Sequence, residues 1–270
     1  LLSYFDADNA HVVLRRKELV TMRPHGHILR SGERLVPDEA ALTSTAWLGG
    51  VFHSMVCQGH VGINRMLSTV RGWLPLFRSQ GQRVFVDDGS GWRQLGLPSA
   101  LVIAPRECRW LYHHDGGVIE ACSRAGLQAH ELTLQLRVLR GAPLRVLVTH
   151  HVCLGGDDGL DPASPLLLER EGEGVAARVP AGSALAARFP LGRLIVEPLD
   201  GSRFVRAGDD AALFDDGCSR GLPWLCVEGL AAPEFGLRLR GALLDAGAEP
   251  PRALTDAATL AEIEAQMGHG

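Results

Sequence analysis

Lysine is almost absent from this 270-residue chain, aromatic residues are few, and no long apolar run occurs. Lys17 is the only lysine, aromatic residues make up 6% of the chain, and the formal net charge is −4. A chain without a basic field does not hold a nucleic acid backbone. No apolar run reaches the roughly 18 residues of a membrane-spanning helix. These absences predict that nucleic acid is not a partner and that this chain contains no membrane-spanning segment.

The chain holds six cysteines, but none of them lies in a CxxC pair or at a zinc-ribbon spacing. Several lie in apolar runs such as "VTHHVCLGG" and "PWLCVEG", where a buried free thiol is expected. Free thiols indicate a reducing compartment, so we expect a cytoplasmic protein. The six are Cys57, Cys108, Cys122, Cys153, Cys218 and Cys226.

Sequence motifs for cofactors and metals are missing as well. The chain has no Walker loop, no GxGxxG, no GxSxG and no HExxH. His25 and His27 form an HxH pair without a third ligand nearby, and the acidic loop "GGDDGLD" lacks the residue order of a calcium loop. We therefore expect no cofactor and no metal.

What the sequence does contain is a series of short strand-like runs separated by polar turns, and one of them is "HVVLRRKEL" at residues 11–19. The run "HELTLQLRVL" places Leu132, Leu134, Leu136 and Val138 on one face and polar residues on the other. Many such runs with few helical patterns predict an all-β fold, a large two-sheet antiparallel sandwich. The four residues of this apolar face are expected to point inward between the sheets.

Two stretches have a helical pattern, and one long stretch has little regular pattern at all. Residues 38–47 and residues 255–267 resemble helices, the first with Asp38 as a cap and the second near the C-terminus. Residues 22–82 are rich in Arg, Ser, Gln and His, and we interpret them as an irregular segment of a domain that spans residues 1–247. Residues 248–270 are then a linker and the start of a helix.

Histidines and aromatic residues are the candidates for ligand contact. Neighbouring residues of a strand point to opposite faces, so His150 and His151 cannot both face one ligand, and one of them is expected in the core or a cleft. Trp47 and Trp73 lie among Arg, Asn and Gln, which is the mixture that a sugar site needs. From composition alone, packing of these rings onto the sandwich explains them equally well.

Several stretches of the chain together resemble the N-terminal β-supersandwich region of glycoside hydrolase family ninety-four. They are "LTSTAW" with "GVFHS", "GH" with "INR" and "LST", "RSQGQRVFV", "LGLPSAL", "RWLY" and "VTHHVCLGGDDG". They follow the order of the family from about residue 1 to residue 244. The similarity is to the branch that contains β-1,2-oligoglucan phosphorylases and the phosphorylase-like part of cyclic β-1,2-glucan synthases.

The resemblance implies a galactose-mutarotase-like supersandwich that is covalently linked to an (α/α)6 catalytic barrel. Enzymes of this family cleave a β-glucosidic bond with inorganic phosphate as co-substrate and invert the anomeric centre. The general acid and the phosphate site lie in the barrel, so the resemblance implies no catalytic residue in this chain. Asp38, Glu39, Asp87 and Asp88 are accordingly interpreted as caps and turn residues. The resemblance also allows the parent to be part of a larger membrane-associated glucan synthase.

Three functions remain open on these grounds. The first is a non-catalytic domain that helps to form the cleft for a β-glucan oligosaccharide. The second is a free-standing aldose epimerase that uses histidines as acid and base, and the third is a structural brace for the barrel. For the first function, the residues expected to contact sugar are Arg30, Arg78, Gln82, Arg83, His60 and Asn64.

Overall fold

The computed structural model describes eight parts of the chain, and every statement below concerns those parts. They are residues 1–21, 26–30, 42–47, 51–57, 65–68, 81–126, 131–154 and 166–242. Two short α-helices are present among them, α1 (Arg15–Thr21) and α2 (Ala184–Arg188), together with one 3₁₀ helix (Asp210–Leu213). In chain order the strands are β1 (Ser3–Phe5), β2 (His11–Leu14), β3 (Gly26–Arg30), β4 (Leu42–Trp47), β5 (Val51–Cys57), β6 (Arg65–Ser68), β7 (Gln82–Asp87), β8 (Arg93–Gln94), β9 (Ala100–Ala104), β10 (Glu107–His114), β11 (Gly117–Ala125), β12 (Glu131–Arg140), β13 (Leu144–His151), β14 (Leu167–Glu171), β15 (Gly174–Arg178), β16 (Arg193–Pro198), β17 (Phe204–Gly208), β18 (Trp224–Ala232) and β19 (Glu234–Ala242).

The described strands form two antiparallel sheets. The first sheet has the spatial order β1-β2-β9-β10-β11-β12-β19-β16-β15-β14. The second has the order β17-β18-β13-β7-β5-β4-β3, with β6 beside β5 and β8 beside β7. Strand β7 therefore lies in the interior of the second sheet, between β13 on one side and β5 and β8 on the other. The all-β, two-sheet antiparallel fold predicted from the alternating runs is confirmed.

The core lies between the two sheets and takes alternate residues from each. Leu132, Leu134 and Leu136 of β12 are buried in it, and Val138 packs against it partly buried. Val84 and Val148 of the second sheet belong to the same apolar cluster. Because side chains alternate across a strand, the residues between these positions lie on the side of each sheet that faces away from the core. We call that side the outer face.

Three local predictions are wrong. Residues 42–47, expected to be helical, form β4, whose six residues pair in full with β5. The segment 22–82, interpreted as irregular, contains β3 to β6 and the first residue of β7. The run at residues 11–19 is not one strand, since β2 is followed directly by α1. The helix expected at residues 255–267 and the domain boundary at residues 247–248 both lie outside the described residues.

No helix in the described ranges has both the length and the apolar character required to cross a membrane.

Candidate functional site

The structure places two of the six predicted sugar-contacting residues side by side in the interior of the second sheet. Gln82 and Arg83 are the first two residues of β7, and both are buried. Arg30 ends β3 at the edge of the same sheet, where its backbone pairs with Thr43. The remaining three lie outside the described residues, namely Arg78, His60 and Asn64.

Gln82 faces the core and contacts a histidine. It lies directly across from His150 of β13, and Gln82 Nε2 is 3.3 Å from His150 Nδ1. Both side chains are buried, and neither Gln82 Oε1 nor His150 Nε2 has a hydrogen-bond partner among the described residues. Burial lowers the pKa of His150 to about 3, so its imidazole is neutral at physiological pH. His150 is thus the core histidine that the sequence led us to expect.

Arg83 points to the outer face, and it is only 6% exposed. Its cross-strand neighbour in β13 is Thr149, and the neighbour of Thr149 in β18 is Cys226. Burial lowers the pKa of Arg83 to about 10, so the guanidinium keeps its charge at neutral pH. A charged arginine offers several N–H donors in a fixed geometry, which makes its position a candidate for ligand or interface contact.

Beside Arg83, the outer face carries an aromatic and thiol cluster around His151. The rings of His151 and Trp224 meet edge to face with their centroids 4.9 Å apart. Cys153 Sγ is 3.6 Å from His151 Nδ1, and the backbone N–H of His151 donates to the Gly81 carbonyl at 3.1 Å. An arginine, an imidazole and an indole are thereby brought to one end of strands β7, β13 and β18.

The loop between β17 and β18 adds a buried carboxylate next to this cluster. Burial by itself would raise the pKa of Asp210, but hydrogen bonds from the Ser219 hydroxyl and from the backbone N–H groups of Arg220 and Leu222 bring it below its usual value. Burial and the negative charge of Asp210 raise the pKa of the Cys226 thiol to about 12. Asp210 is therefore an ionised, fully bonded group that orders its own loop.

These side chains can bind polar ligands but are poorly suited to acid catalysis. A general acid of a glycosidase needs a raised pKa. The described carboxyl groups with a shifted pKa, Asp88, Asp210 and Asp216, all have it lowered. Among the described residues, no group of three His, Cys, Asp or Glu side chains could hold a metal ion.

The sequence did not single out Trp224 or Asp210 as candidates. A signal for Trp224 was present in "PWLCVEG", where Trp224, Cys226 and Glu228 alternate with apolar residues and so share one face. The contact of Trp224 with His151 depends on the register between β13 and β18. The alternation of residues within one strand does not predict that register.

Taken together, the two stacked antiparallel sheets and the polar and aromatic residues at one end of the central strands define the class of molecule, an all-β sandwich domain. A family model described as the glycoside phosphorylase supersandwich domain matches residues 1–231. The chain belongs to this family of glycoside phosphorylase supersandwich domains.

Individual proteins are similar to this chain over part of their length. A 1,2-β-oligoglucan phosphorylase of Listeria innocua serovar 6a is 29% identical over 158 residues, which cover 58% of this chain and 14% of that protein. A protein assigned as an aldose 1-epimerase, from Escherichia coli K12, has a TM-score of 0.36 and 13% identity, covering 82% of this chain and all of that one (100%). A protein assigned as a kojibiose phosphorylase, from the human microbiome, has a TM-score of 0.35 and 7% identity, covering 96% of this chain and 30% of that one. The chain thus spans a small part of the length of the phosphorylases to which it is similar.

Proposed function

We propose that this chain is a non-catalytic, carbohydrate-associated domain of an inverting glucan phosphorylase-type enzyme. Its ligand is a β-glucan oligosaccharide, held together with a covalently linked (α/α)6 catalytic barrel. The barrel supplies the general acid and the site for inorganic phosphate, the co-substrate, and the chain itself uses no cofactor. The free thiols of Cys108, Cys122, Cys153 and Cys226 support a reducing, cytoplasmic location within this proposal.

The observation that carries the proposal is the convergence of Arg83, His151 and Trp224 on the outer face of the second sheet, within a domain of the glycoside phosphorylase family. An indole offers an apolar ring to the C–H face of a pyranose, while guanidinium and imidazole groups pair with hydroxyls. Trp224 is partly exposed and offers the first kind of contact, whereas Arg83 and His151 are each only 6% exposed and offer the second kind only through the small part that remains accessible.

The aldose epimerase interpretation gains no support from the described histidines. His150 is fully buried, and a pKa of about 3 leaves its imidazole a weak base. The side chains of His27 and His53, and the whole of His25 and His60, lie outside the described residues. A fold shared with an epimerase does not transfer its chemistry.

A structural brace is a second candidate, and the burial of Gln82 and Arg83 favours it. Buried polar residues often serve only to satisfy backbone or side-chain groups of their own domain. In that case Arg83 would stabilise the fold or the contact with the barrel and would never touch sugar.

The two candidates are separated by kinetics of the polypeptide that holds this chain and the barrel. We expect Arg83→Met to raise the KM for a β-1,2-glucooligosaccharide by about tenfold or more, because a hydrogen bond to a charged group is lost. The kcat should change little, since the acid and the phosphate site are elsewhere. Arg178→Met on the first sheet is the matched control. An unchanged KM with a lowered melting temperature would show that Arg83 is a brace.

A further inference from the structure

The exposed Trp92 is held in a fixed position on the outer face of the second sheet, at the end of the strands opposite to Arg83. Trp92 lies in the hairpin between β7 and β8 and is 37% exposed. The guanidinium carbon of Arg145 lies 4.9 Å from the centre of the Trp92 ring. Since Arg145 occupies one face of the indole, we infer that the exposed surface belongs to the other face.

Two carboxylates hold Arg145 beneath the ring. Arg145 Nη1 donates to Asp87 Oδ2 at 3.1 Å, and Arg145 Nη2 donates to Glu228 Oε1 at 2.5 Å. Side chains of Asp87 and Glu228 are largely buried, whereas that of Arg145 is half exposed. An arginine with two anchored partners has little rotational freedom left, so the indole rests on a fixed support.

The turn that carries Trp92 is also fixed. Asp87 Oδ1 accepts from the backbone N–H groups of Gly89 at 2.7 Å and Gly91 at 2.9 Å. Both glycines have positive φ, 99° and 107°, and a Cβ added to either would meet nothing within 4 Å. Asp87 thus connects the turn to Arg145. Because Gly89 and Gly91 have no side chains, the turn can be approached from their side.

Polar groups suited to hydroxyls lie in the same turn as this ring. Asp88, Ser90 and Arg93 form an exposed hydrogen-bonded group in the same turn. The Ser90 hydroxyl and backbone N–H hold the pKa of Asp88 below its usual value, so this carboxylate is charged at neutral pH. A preorganised aromatic ring with charged groups in the same turn is the arrangement that binds a sugar by stacking and hydrogen bonding.

We propose that Trp92, seated on Arg145 by Asp87 and Glu228, is a surface stacking site for a β-linked glucan chain. The ligand class rests on the proposed function, whereas the site itself does not involve Gln82 or Arg83. Along β13, Arg145 lies four residues from Thr149, the neighbour of Arg83, which is roughly 13 Å. Trp92 is therefore a second contact for the same polysaccharide, separate from the candidate site around Arg83.

Binding is tested on the purified chain by titrating a β-1,2-glucooligosaccharide and following the indole N–H signals by NMR. The chain has five tryptophans, so the Trp92 signal is assigned from its loss in Trp92→Tyr. We expect this signal to shift saturably in the wild-type protein. Trp92→Leu keeps an apolar side chain without a ring face and should weaken binding by about five- to tenfold, while Trp92→Tyr should retain most of it.

The control is Leu139→Ala, an exposed apolar position on the first sheet, which should bind as the wild type does. A wild-type Trp92 signal that does not move at the highest oligosaccharide concentration would overturn the site, and this result needs the variant Trp92→Tyr only to assign the signal. Equal binding of a maltooligosaccharide would overturn the β-glucan class. Because these measurements use neither Arg83 nor the barrel, their failure leaves the kinetic test of the proposed function intact.

Discussion

At the scale of single residues, the second sheet buries two ionisable groups that respond differently to loss of water. The pKa of His150 falls to about 3 and that of Arg83 to about 10, in both cases because burial disfavours the charged form. At neutral pH the histidine is therefore uncharged and the arginine still charged. The neutral His150 thus lies on the core face beside Gln82, and the charged Arg83 lies on the outer face beside Thr149.

The buried His150 should make the fold sensitive to acid. The pKa of His150 is ordinarily 6.5 and is about 3 in the folded chain. Below pH 6.5 the imidazole of the unfolded chain therefore takes up a proton, whereas that of the folded chain stays neutral until the pH nears 3. The contribution of His150 to the free energy of unfolding is complete above pH 6.5 and is lost as the pH falls toward the folded value, by up to about 1.4 kcal/mol per pH unit.

This loss is measured by urea unfolding between neutral and mildly acidic pH. His150→Gln should flatten the dependence, whatever its effect on stability at pH 7. His114→Gln, at an exposed position, is the matched control. Identical slopes for the wild type and His150→Gln would show that His150 is not the group responsible.

At the scale of elements, the close approach of the two sheets depends on a glycine in β18. A Cβ added to Gly229 would lie 2.3 Å from two ring carbons of Phe235, a core residue of β19. Gly229 pairs with Val146 of β13, so it stands on the core face of the second sheet. The ring of Phe235 thus fills the space that a side chain at position 229 would need, and the sheets meet there without a gap.

Gly229→Ala should therefore lower the free energy of unfolding by about 1–3 kcal/mol, since Phe235 must move within a packed core. The matched control is Gly208→Ala in β17, where an added Cβ meets nothing within 4 Å. That substitution should change stability by less than about 0.5 kcal/mol. Chemical denaturation of both variants gives the comparison, and equal effects would mean that Phe235 is not tightly packed against position 229.

Strands with strict alternation could be predicted from the sequence, but pairing could not. Leu132 and Leu134 are buried as expected, because their polar neighbours allow only one inward face. Residues 42–47 follow helix formers in the sequence and Asp38, a residue type that often caps helices. Thr43 and Thr45 nevertheless favour a strand, and pairing with β5 decides the outcome. Gln82 was identified from the family resemblance. Its contact with His150 depends on the register between β7 and β13, and the residue pattern of a single strand does not predict that register.

At the scale of the whole molecule, the two sheets differ in what their outer faces carry. The first sheet bears paired charges, in which Arg137 Nε donates to Glu120 at 3.0 Å and Arg238 lies 3.5 Å from Glu131 and 3.3 Å from Glu197. Opposite charges that pair within one face leave little field for a ligand. The outer face of the second sheet also has an ion-paired arginine, Arg145, which contacts Asp87 and Glu228. It differs in carrying Arg83 and the rings of Trp224 and Trp92 as well, so we expect the glucan to meet the molecule on that side.

The most direct measurement is the release of glucose 1-phosphate from β-1,2-glucan and inorganic phosphate. The purified chain should release none, because in the proposed function the general acid and the phosphate site lie in the barrel, and the described carboxyl groups with a shifted pKa all have it lowered. The same chain joined to the proposed barrel should release it. Glucose 1-phosphate from the purified chain alone would contradict a non-catalytic supersandwich domain and would place the reaction within these residues.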